Sequence, residues 1–312
     1  MSTLGFDTSN YTASTAWTDG ETDKNIRQIL DVKKGERGIR QSDGVFQHMK
    51  LIPQLFARLS AEIDMNDVKA VGVSTRPRTV KGSYMPVFLA GMGYARVAAD
   101  TLGVPLYEFS HQDGHVMAGI YSRGCFGLLE KDFLSVHLSG GTTEILKSRY
   151  VGNNFVHEII GGTKDISAGQ FIDRVGVKLG LQFPAGKALE QLALSADRAE
   201  KLPVSVDGTY MSFSGVETKA SRMADKADAD SAPLALGVLE TVRDTLIKSI
   251  NNAIKETNTH NILVVGGVAS NGIIRQGLTE QLDGEVYFAK AEYSTDNAVG
   301  IAYLAHMANK EA

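Results

Sequence analysis

Short apolar runs along the chain alternate with longer segments whose apolar residues recur every third or fourth position. TLGFDTS, near the start, reads as a strand, and YTASTAW leads into a second. From 45 to 62, VFQHMKLIPQLFARLSAE carries apolar side chains at helical spacing and predicts an amphipathic helix. KAVGVST is short and apolar enough for a buried strand. VFLAGMGYARVAADTLG predicts a helix rich in small residues that stops near Gly103, where a glycine suits a C-terminal cap. VPLYEFS returns to strand, with Ser110 placed to cap a helix containing His111 and His115.

A second cycle follows. FLSVHLSGGTTEILKS predicts two strands joined by a glycine turn, FVHEIIGG another strand, and SAGQFIDRVGVKLGL a helix. ALGVLETVRDTLIKSINNAIKET predicts a long helix and NILVVGG a strand. ASNGIIRQGLTEQL, VYFA and TDNAVGIAYLAHMANK then predict helix, strand and a closing helix. Strands interleaved with helices predict an α/β architecture. Each half opens on a strand pair whose first strand ends in small polar residues, Asp7-Thr8-Ser9 in one and Ser139-Gly140-Gly141-Thr142-Thr143 in the other. That repetition predicts a duplicated domain with a cleft between the halves. Residues 1–110, completed by the C-terminal helix at 295–312, make the first. Residues 111–294 make the second, with an irregular inserted subdomain around 197–233.

Composition narrows the function classes. At 312 residues the chain allows one large domain or two of about 150. Hydrophobic residues at 43% and charged residues at 22% supply sizeable cores in the ordinary globular balance. A formal charge of −4 gives no global attraction for nucleic acid, so a nucleic-acid partner needs a local basic surface. Cys125 stands alone, which excludes an intrachain disulfide and a multi-cysteine zinc site. MSTLGFDTSNYTAS lacks the basic segment and apolar core of a secretory signal, and no run approaches the roughly 18–20 apolar residues of a membrane span. A cytoplasmic protein is expected.

LSGGTT after a strand exposes backbone N–H groups without side-chain obstruction, which suits a phosphate; a plain glycine hairpin has the same pattern. VVGGVASNGIIR is a strand, two glycines including Gly267, and a helix start with Asn271 early in it. Such a junction brings the backbone close to a nucleotide, or simply makes a tight turn. It is no G-x-G-x-x-G fingerprint, and G-x-x-x-x-G-K-[ST] is absent, so Rossmann and P-loop readings fail. In DISAGQFIDRVGVKLGLQFPAGKALEQLA, Gly169 permits close approach to a helix and Gly186 lies in a turn suited to an adenine face. Asp173 can accept hydrogen bonds from ribose hydroxyls, or pair with Arg174 or Lys178 on a solvated face.

His111 and His115, at i and i+4, share a helix face and can present nitrogens to one ion; the same spacing serves two ordinary structural histidines. Gln112 stands where H-E-x-x-H metalloproteases carry the general base, so a peptidase reading fails. Asp296, in YSTDNAVG, is a candidate third ligand of the kind found in non-haem iron or zinc sites. Alternatively Ser294, Thr295 or Asp296 caps the final helix.

These stretches, in this order, resemble the tRNA threonylcarbamoyladenosine synthase family, formerly described as sialoglycoprotein endopeptidases, from LGFDTS to STDNAVGIAY. HQDGH is similar to the family's H-x-E-G-H, HLSGGTTE to V-S-G-G-[HN]-T, and DISAGQFIDRVGVKLGLQFPAG to its D-D-A-A-G-E-A-F-D-K…L-G-L-x-Y-P-G-G block. MSFSGVETKA is similar to F-S-F-S-G-L-K-T, and VVGGVASNGIIR to G-G-V-A-A-N-x-x-L-R. The resemblance implies a duplicated actin-like, sugar-kinase-like (ASKHA) fold of two RNase H-like domains with metal and nucleotide in the interdomain cleft. It implies one divalent ion, iron or zinc, on His111, His115 and Asp296. His137 is a fourth candidate, where some archaeal and eukaryotic relatives carry a metal-binding tyrosine. Leu138, Ser139, Gly140, Gly141, Gly169, Asp173, Gly186, Gly267 and Asn271 would hold an adenine nucleotide, threonylcarbamoyl-AMP or ATP/ADP, and Asp7 and Ser9 stand at catalytic positions. The implied reaction carries the threonylcarbamoyl group from threonylcarbamoyl-adenylate to N6 of the tRNA adenosine beside the anticodon, with partner subunits of a synthesis complex.

The chain also departs from that pattern. Asn10-Tyr11-Thr12 follow Ser9 where the family usually has Cys-Asp-[Asp/Glu]-Thr, and G-P-G-L becomes Arg76-Pro77-Arg78 followed by VKGSYMP. Gln170 replaces Glu, Arg174 replaces Lys, Ala185-Gly186-Lys187 replaces Gly-Gly-Pro, and Asp113 is one methylene shorter than the motif glutamate. Arg76, Arg78 and Lys81 make a local basic loop that either contacts phosphate, on tRNA or a nucleotide, or is simply solvated. The departures mark a divergent member. It keeps the family reaction, or keeps metal and nucleotide with another acceptor or nucleotide hydrolysis, or scaffolds an authentic synthase without catalysis.

Overall fold

In a computed structural model, which describes residues 1–9, 11–32, 39–80, 82–226 and 231–312, the chain forms two compact units. The first comprises Met1–Phe126, Tyr150–Val156 and Thr295–Ala312; the second comprises Gly127–Arg149 and His157–Ser294. In chain order the first contains β1 (Ser2–Asp7), β2 (Thr12–Thr18), β3 (Asp23–Ile29), α1 (Gln41–Ser60), β4 (Val68–Arg76), α2 (Phe88–Leu102), β5 (Leu106–Ser110) and α3 (His111–Arg123). Then come β6 (Phe133–Leu138), β7 (Thr143–Val151), β8 (Asn154–Thr163), α4 (Ala168–Lys178), α5 (Gly186–Ala193), β9 (Val206–Asp207), β10 (Tyr210–Met211) and α6 (Ser214–Ala224). α7 (Ala232–Thr257), β11 (Asn261–Val265), α8 (Gly272–Gln281) and β12 (Glu285–Phe288) follow. The last helix, α9 (Val299–Glu311), belongs to the first unit.

The first sheet runs β3-β2-β1-β4-β5. β1, β2 and β3 are antiparallel neighbours, while β1, β4 and β5 are parallel. Every residue of β1 is buried, as expected of a strand covered on both faces. Ile52, Leu55 and Leu59 of α1 share a core with Leu4, Phe6, Val71 and Val73 of the sheet. α9 lies directly on the sheet because Gly5 and Gly72 have no side chain. A Cβ at Gly5 would come within 2.7 Å of Ala302 N, and one at Gly72 within 2.7 Å of Ile301 O.

α9 packs equally closely on α3, with Gly300 against the backbone of Gly114 and Ala118. That contact moves the boundary. α3 belongs with the first unit, which extends to Phe126, whereas residues 111–126 were expected in the second. α1 begins four residues before the expected 45, because Gln41-Ser42-Asp43-Gly44 adds a polar turn that hydrophobic spacing does not reveal.

The second sheet runs β12-β11-β6-β7-β8-β10-β9. Its strands β8-β7-β6-β11-β12 repeat the order of β3-β2-β1-β4-β5. The directions repeat as well: β6 is antiparallel to β7 and parallel to β11, which is parallel to β12. The repeat of the two opening strand pairs is therefore a repeat of topology. The stretch around 197–233 is not a separate insertion among its described residues. β9 and β10 extend the sheet beyond β8, and Met211, Phe213, Val216 and Ala220 enter the second core. Asp165 pins this segment, accepting from Phe213 N at 2.8 Å, Ser214 N at 3.2 Å and the Ser214 hydroxyl. These hydrogen bonds outweigh burial and hold the carboxyl below its usual range.

Gly300→Ala places a methyl group against helix backbone that cannot rotate away, and is expected to destabilise the protein by at least about 1–3 kcal/mol. Gly93→Ala, on the open face of α2 with nothing within 4 Å of the added carbon, should instead stabilise by about 0.4–1 kcal/mol. Denaturant midpoints of the two variants decide the matter; equal shifts would show that α9 is not seated this tightly.

Candidate metal centre and glycine loops

Three neighbouring parallel strands bring polar residues to their C-terminal ends. β1 ends in Asp7, β4 carries Ser74, and β5 runs straight into α3, whose first residue is His111. Ser110 caps α3 as the sequence predicts: its hydroxyl accepts from Asp113 N at 3.1 Å, and the Asp113 carboxylate accepts from Ser110 N at 2.9 Å. Thr79 adds a hydroxyl 3.0 Å from Asp113 Oδ1. Asp113 is thus fully buried and engaged in capping the helix.

Asp7 is buried with all its oxygen valences in use. Oδ1 accepts from the Ser74 hydroxyl and from Ser9 N at 3.2 Å, while Oδ2 accepts from Ser9 Oγ at 3.1 Å and lies 2.9 Å from His111 Nδ1. A carboxylate at Nδ1 fixes the proton there and turns Nε2 outward as a metal donor. Asp7 and Ser9, expected at catalytic positions, are arranged to orient His111. Ser74 was missed; a serine inside the buried strand KAVGVST was the available signal.

Nε2 of His111 lies 3.5 Å from Asp296 Oδ1, and Nε2 of His115 lies 3.2 Å from the same oxygen. The donor atoms of His111, His115 and Asp296 all fall within 4.8 Å of one another. Adjacent ligands on an ion with bonds of about 2.0–2.2 Å sit about 3 Å apart, so this set fits one divalent cation. Two imidazoles and a carboxylate suit iron(II) or zinc and leave coordination positions for a substrate. Burial works against charge in this cluster, yet the Asp7 and Asp296 carboxylates outweigh it and raise His111 from 6.5 to about 10. Against the same burial, His111 and His115 hold Asp296 well below the usual carboxylate range. The field that favours a proton on His111 also favours a metal cation.

The loop bearing Asp296 is held from the β2–β3 hairpin. Arg27 Nη1 donates to Thr295 Oγ1 at 2.6 Å and to the Asp296 carbonyl at 3.1 Å. Ser14 Oγ accepts from Ala298 N at 3.0 Å, and Asn297 Oδ1 from Val299 N at 3.0 Å. Asn297 thus turns the chain into the final helix, whose N-cap is Ala298, and the Asp296 side chain remains with the histidines. Arg76 stands at the end of β4, paired with Ser110, and Arg78 N donates to Ser83 Oγ at 3.1 Å. Lys81 and Asn10 lie outside the described residues. An apolar surface cavity of about 300 Å³, lined by Val73, Leu89, Met92 and Leu106, contains none of these groups. The chemistry resides at the strand ends instead.

The expected nucleotide residues gather in the second unit. Leu138 ends β6, and Ser139 shapes the following turn, its Oγ accepting from Thr142 N at 3.0 Å and Gly141 N at 3.3 Å. Gly169, in the first turn of α4, meets Gly140: a Cβ there would fall 2.6 Å from Gly140 Cα. Ser167 Oγ ties the helix to the Gly140 carbonyl at 2.7 Å. Gly266, left-handed at φ 101°, packs on the Leu138 backbone and so brings Gly267 and Asn271 to the same turn. Asn271 caps α8 through Ile274 N at 3.1 Å, and Glu190 of α5 accepts from Gly272 N. Asp173 pairs with neither Arg174 nor Lys178. Its Oδ1 accepts from Ala185 N at 2.8 Å beside Gly186, and burial raises its pKa. Gly140, Gly141 and Gly267 have no positive φ and no atom within 4 Å of an added Cβ. Neither conformation nor packing requires glycine there, and the backbone at these positions is bare of side chains. His137 is half-buried on β6 of this unit and is not part of the three-residue cluster.

Residues 28–303 match the family of tRNA N6-adenosine threonylcarbamoyltransferases, TsaD. A probable bifunctional tRNA threonylcarbamoyladenosine biosynthesis protein of Methanothermobacter thermautotrophicus is 31% identical over 88% of the chain, which spans only 49% of that longer protein. The tRNA N6-adenosine threonylcarbamoyltransferase of Christiangramia forsetii is 30% identical, over 93% of this chain and 88% of its own. Among solved structures, a ROK family glucokinase of Streptomyces griseus in complex with glucose and AMPPNP superposes with a TM-score of 0.53 at 13% identity, covering 99% of this chain and 100% of its own. The fold is that of the actin-like ATPases and sugar kinases.

Asp7→Asn keeps the shape of the contact with His111 but removes its charge, and should weaken cobalt(II) or zinc binding about 10–100-fold. Arg27→Ala should weaken it less, with Arg27→Lys in between, since Arg27 acts only through the Asp296 loop. Competition against a chromogenic chelator measures all three. Unchanged affinity in Asp7→Asn would disprove the orienting role.

Proposed function

Because the chain belongs to the tRNA N6-adenosine threonylcarbamoyltransferase family, matched over residues 28–303, we propose that it modifies tRNA by moving a threonylcarbamoyl group from threonylcarbamoyl-adenylate to N6 of the adenosine beside the anticodon. The convergence of His111, His115 and Asp296 on one point carries this reading. His111, His115 and Asp296 would hold an iron or zinc ion, which would supply Lewis acidity for the carbamoyl carbonyl and the adenylate phosphate. Asp7, Ser9 and Ser74 keep His111 in the tautomer that binds it. Gly140, Gly169 and Gly267 would offer backbone N–H groups to the adenylate, on a turn that Ser139 shapes by accepting from Gly141 N. Asp173, with Oδ1 taken by Ala185 N, offers its other oxygen to a ribose hydroxyl, and Asn271 and Gly186 border the base. The donor is thus activated by orientation rather than by a covalent enzyme intermediate. Partner subunits and a cytoplasmic location go with a tRNA substrate, and no helix among the described residues is long and apolar enough to cross a membrane.

A second reading is favoured by the altered loops at Asn10-Tyr11 and Arg76-Pro77-Arg78. It keeps the same metal and nucleotide residues but directs them to another acceptor or to nucleotide hydrolysis. Expression in a strain lacking its own synthase separates the two. The main reading expects threonylcarbamoyladenosine to return to tRNA with the wild type and to stay absent with His115→Ala. No rescue, even with cognate partner subunits, sinks transfer to tRNA, and metal retained by that non-complementing protein leaves the second reading standing.

A further inference from the structure

We propose that Arg76 is an anion-binding residue beside the His111–His115–Asp296 cluster, receiving a phosphate oxygen of a small phosphorylated ligand. The proposal rests on the reading of that cluster as a metal centre. β4 lies between β1 and β5 in the sheet, so Arg76 occupies the middle of the edge formed by Asp7, Arg76 and Ser110. Ligands of parallel α/β sheets collect outside this carboxyl edge. Two residues before Arg76, Ser74 touches Asp7; beside it, Ser110 caps the helix that starts with His111.

The loop after Arg76 is fixed to that helix rather than free in solvent. Gln112 N donates to the Pro77 carbonyl at 3.1 Å, and the Thr79 hydroxyl lies 3.1 Å from Ser110 Oγ and 3.0 Å from Asp113 Oδ1. Arg76 is half-buried, and its Nη1 donates to Thr75 Oγ1 at 3.1 Å. Among the described residues no carboxylate forms an ion pair with it. The acids of the same edge are committed elsewhere: Asp7 to His111 and Ser74, Asp113 to the helix cap, and Asp296 to the two histidines. A half-buried guanidinium without a protein counter-ion is matched by a bidentate anion, and phosphate has that geometry. Among the described residues of the loop, Val80 and Tyr84 expose large hydrophobic side chains, which argues for a compact ligand reaching Arg76 rather than an RNA backbone lying across the loop.

The test is isothermal titration of the full chain with inorganic phosphate, cobalt-loaded and after chelation. Arg76→Met is expected to weaken phosphate binding at least about tenfold, and Arg76→Lys by less. Imidazole binding to the cobalt-loaded protein, followed by visible absorption, should stay the same in both variants, as should tRNA affinity and its salt dependence. The proposal is overturned if the wild type does not bind phosphate, if Arg76→Met binds it as well as the wild type does, or if Arg76→Lys is no better than Arg76→Met. A loss confined to tRNA affinity, with a shallower salt dependence, overturns it in favour of a nucleic-acid backbone contact. Absence of cobalt uptake would count against the metal reading alone, since the chelated titrations still decide on Arg76.

Discussion

The seating of α9 on α3 through two facing glycines is the contact on which the first unit's site depends. Asp296 and His111 are 185 positions apart, and no local propensity brings them together. Gly300 lies on the Gly114 backbone, so the two helices approach more closely than a pair of methyl groups permits, and the loop before α9 ends beside the histidines. Gly114 also lies between His111 and His115 in sequence. The turn of α3 that carries both histidines is thus also the surface on which Gly300 seats the helix following the third ligand. Gly5 and Gly72 do the same beneath α9, which ties the last helix to the first strand and makes the metal centre a product of both chain ends.

Placing four ionisable groups in this space is unfavourable unless each compensates another. Asp7 and Asp296 flank His111 from opposite ring nitrogens; each carboxylate and the imidazolium between them stabilise one another against burial, while the two carboxylates oppose each other. Asp113 shows how strictly partners decide a carboxylate's work. It is two residues from His111 and equally buried, yet the helix cap and Thr79 occupy it completely. The same chemical group on one turn of helix is structural, whereas Asp7, reaching in from β1, is an orienting group. Arg27 extends the pattern outward by holding the backbone around Asp296 without touching the histidines.

Features decided within a few residues were legible in the sequence. Ser110 before a helix, Gly103 closing one, the LSGG turn and the one-turn spacing of His111 and His115 all follow from local geometry. Features decided by distant packing were not. The allegiance of α3 depends on Gly300, so a boundary at residue 110 looked natural where the strand ended. β9 and β10 are two residues each, too short for alternation to register, and only their pairing to β8 reveals a sheet edge in place of an insertion. None of Ser294, Thr295 and Asp296 caps α9, which begins after Ala298, because those three are drawn to other partners. The resemblance put Asp7 at a catalytic position, while its hydrogen bonds with Ser9, Ser74 and His111 are a tertiary fact.

The glycines of the second unit separate what the protein needs for itself from what it offers to a ligand. Gly169 and Gly266 are demanded by packing, since any side chain would strike the backbone of the LSGG turn. Gly140, Gly141 and Gly267 are demanded by nothing in the chain, because their φ angles are ordinary and an added carbon would enter open space. Glycine at such positions weakens the folded state by widening the unfolded ensemble. The packed glycines bring α4 and the β11–α8 junction to the turn, and the open ones leave its surface bare of side chains while Ser139 and Thr142 hold its shape by hydrogen bonds within the turn. In the first unit the same residue type seats α9 and brings Asp296 beside His111 and His115; in the second it seats two helix starts around the LSGG turn.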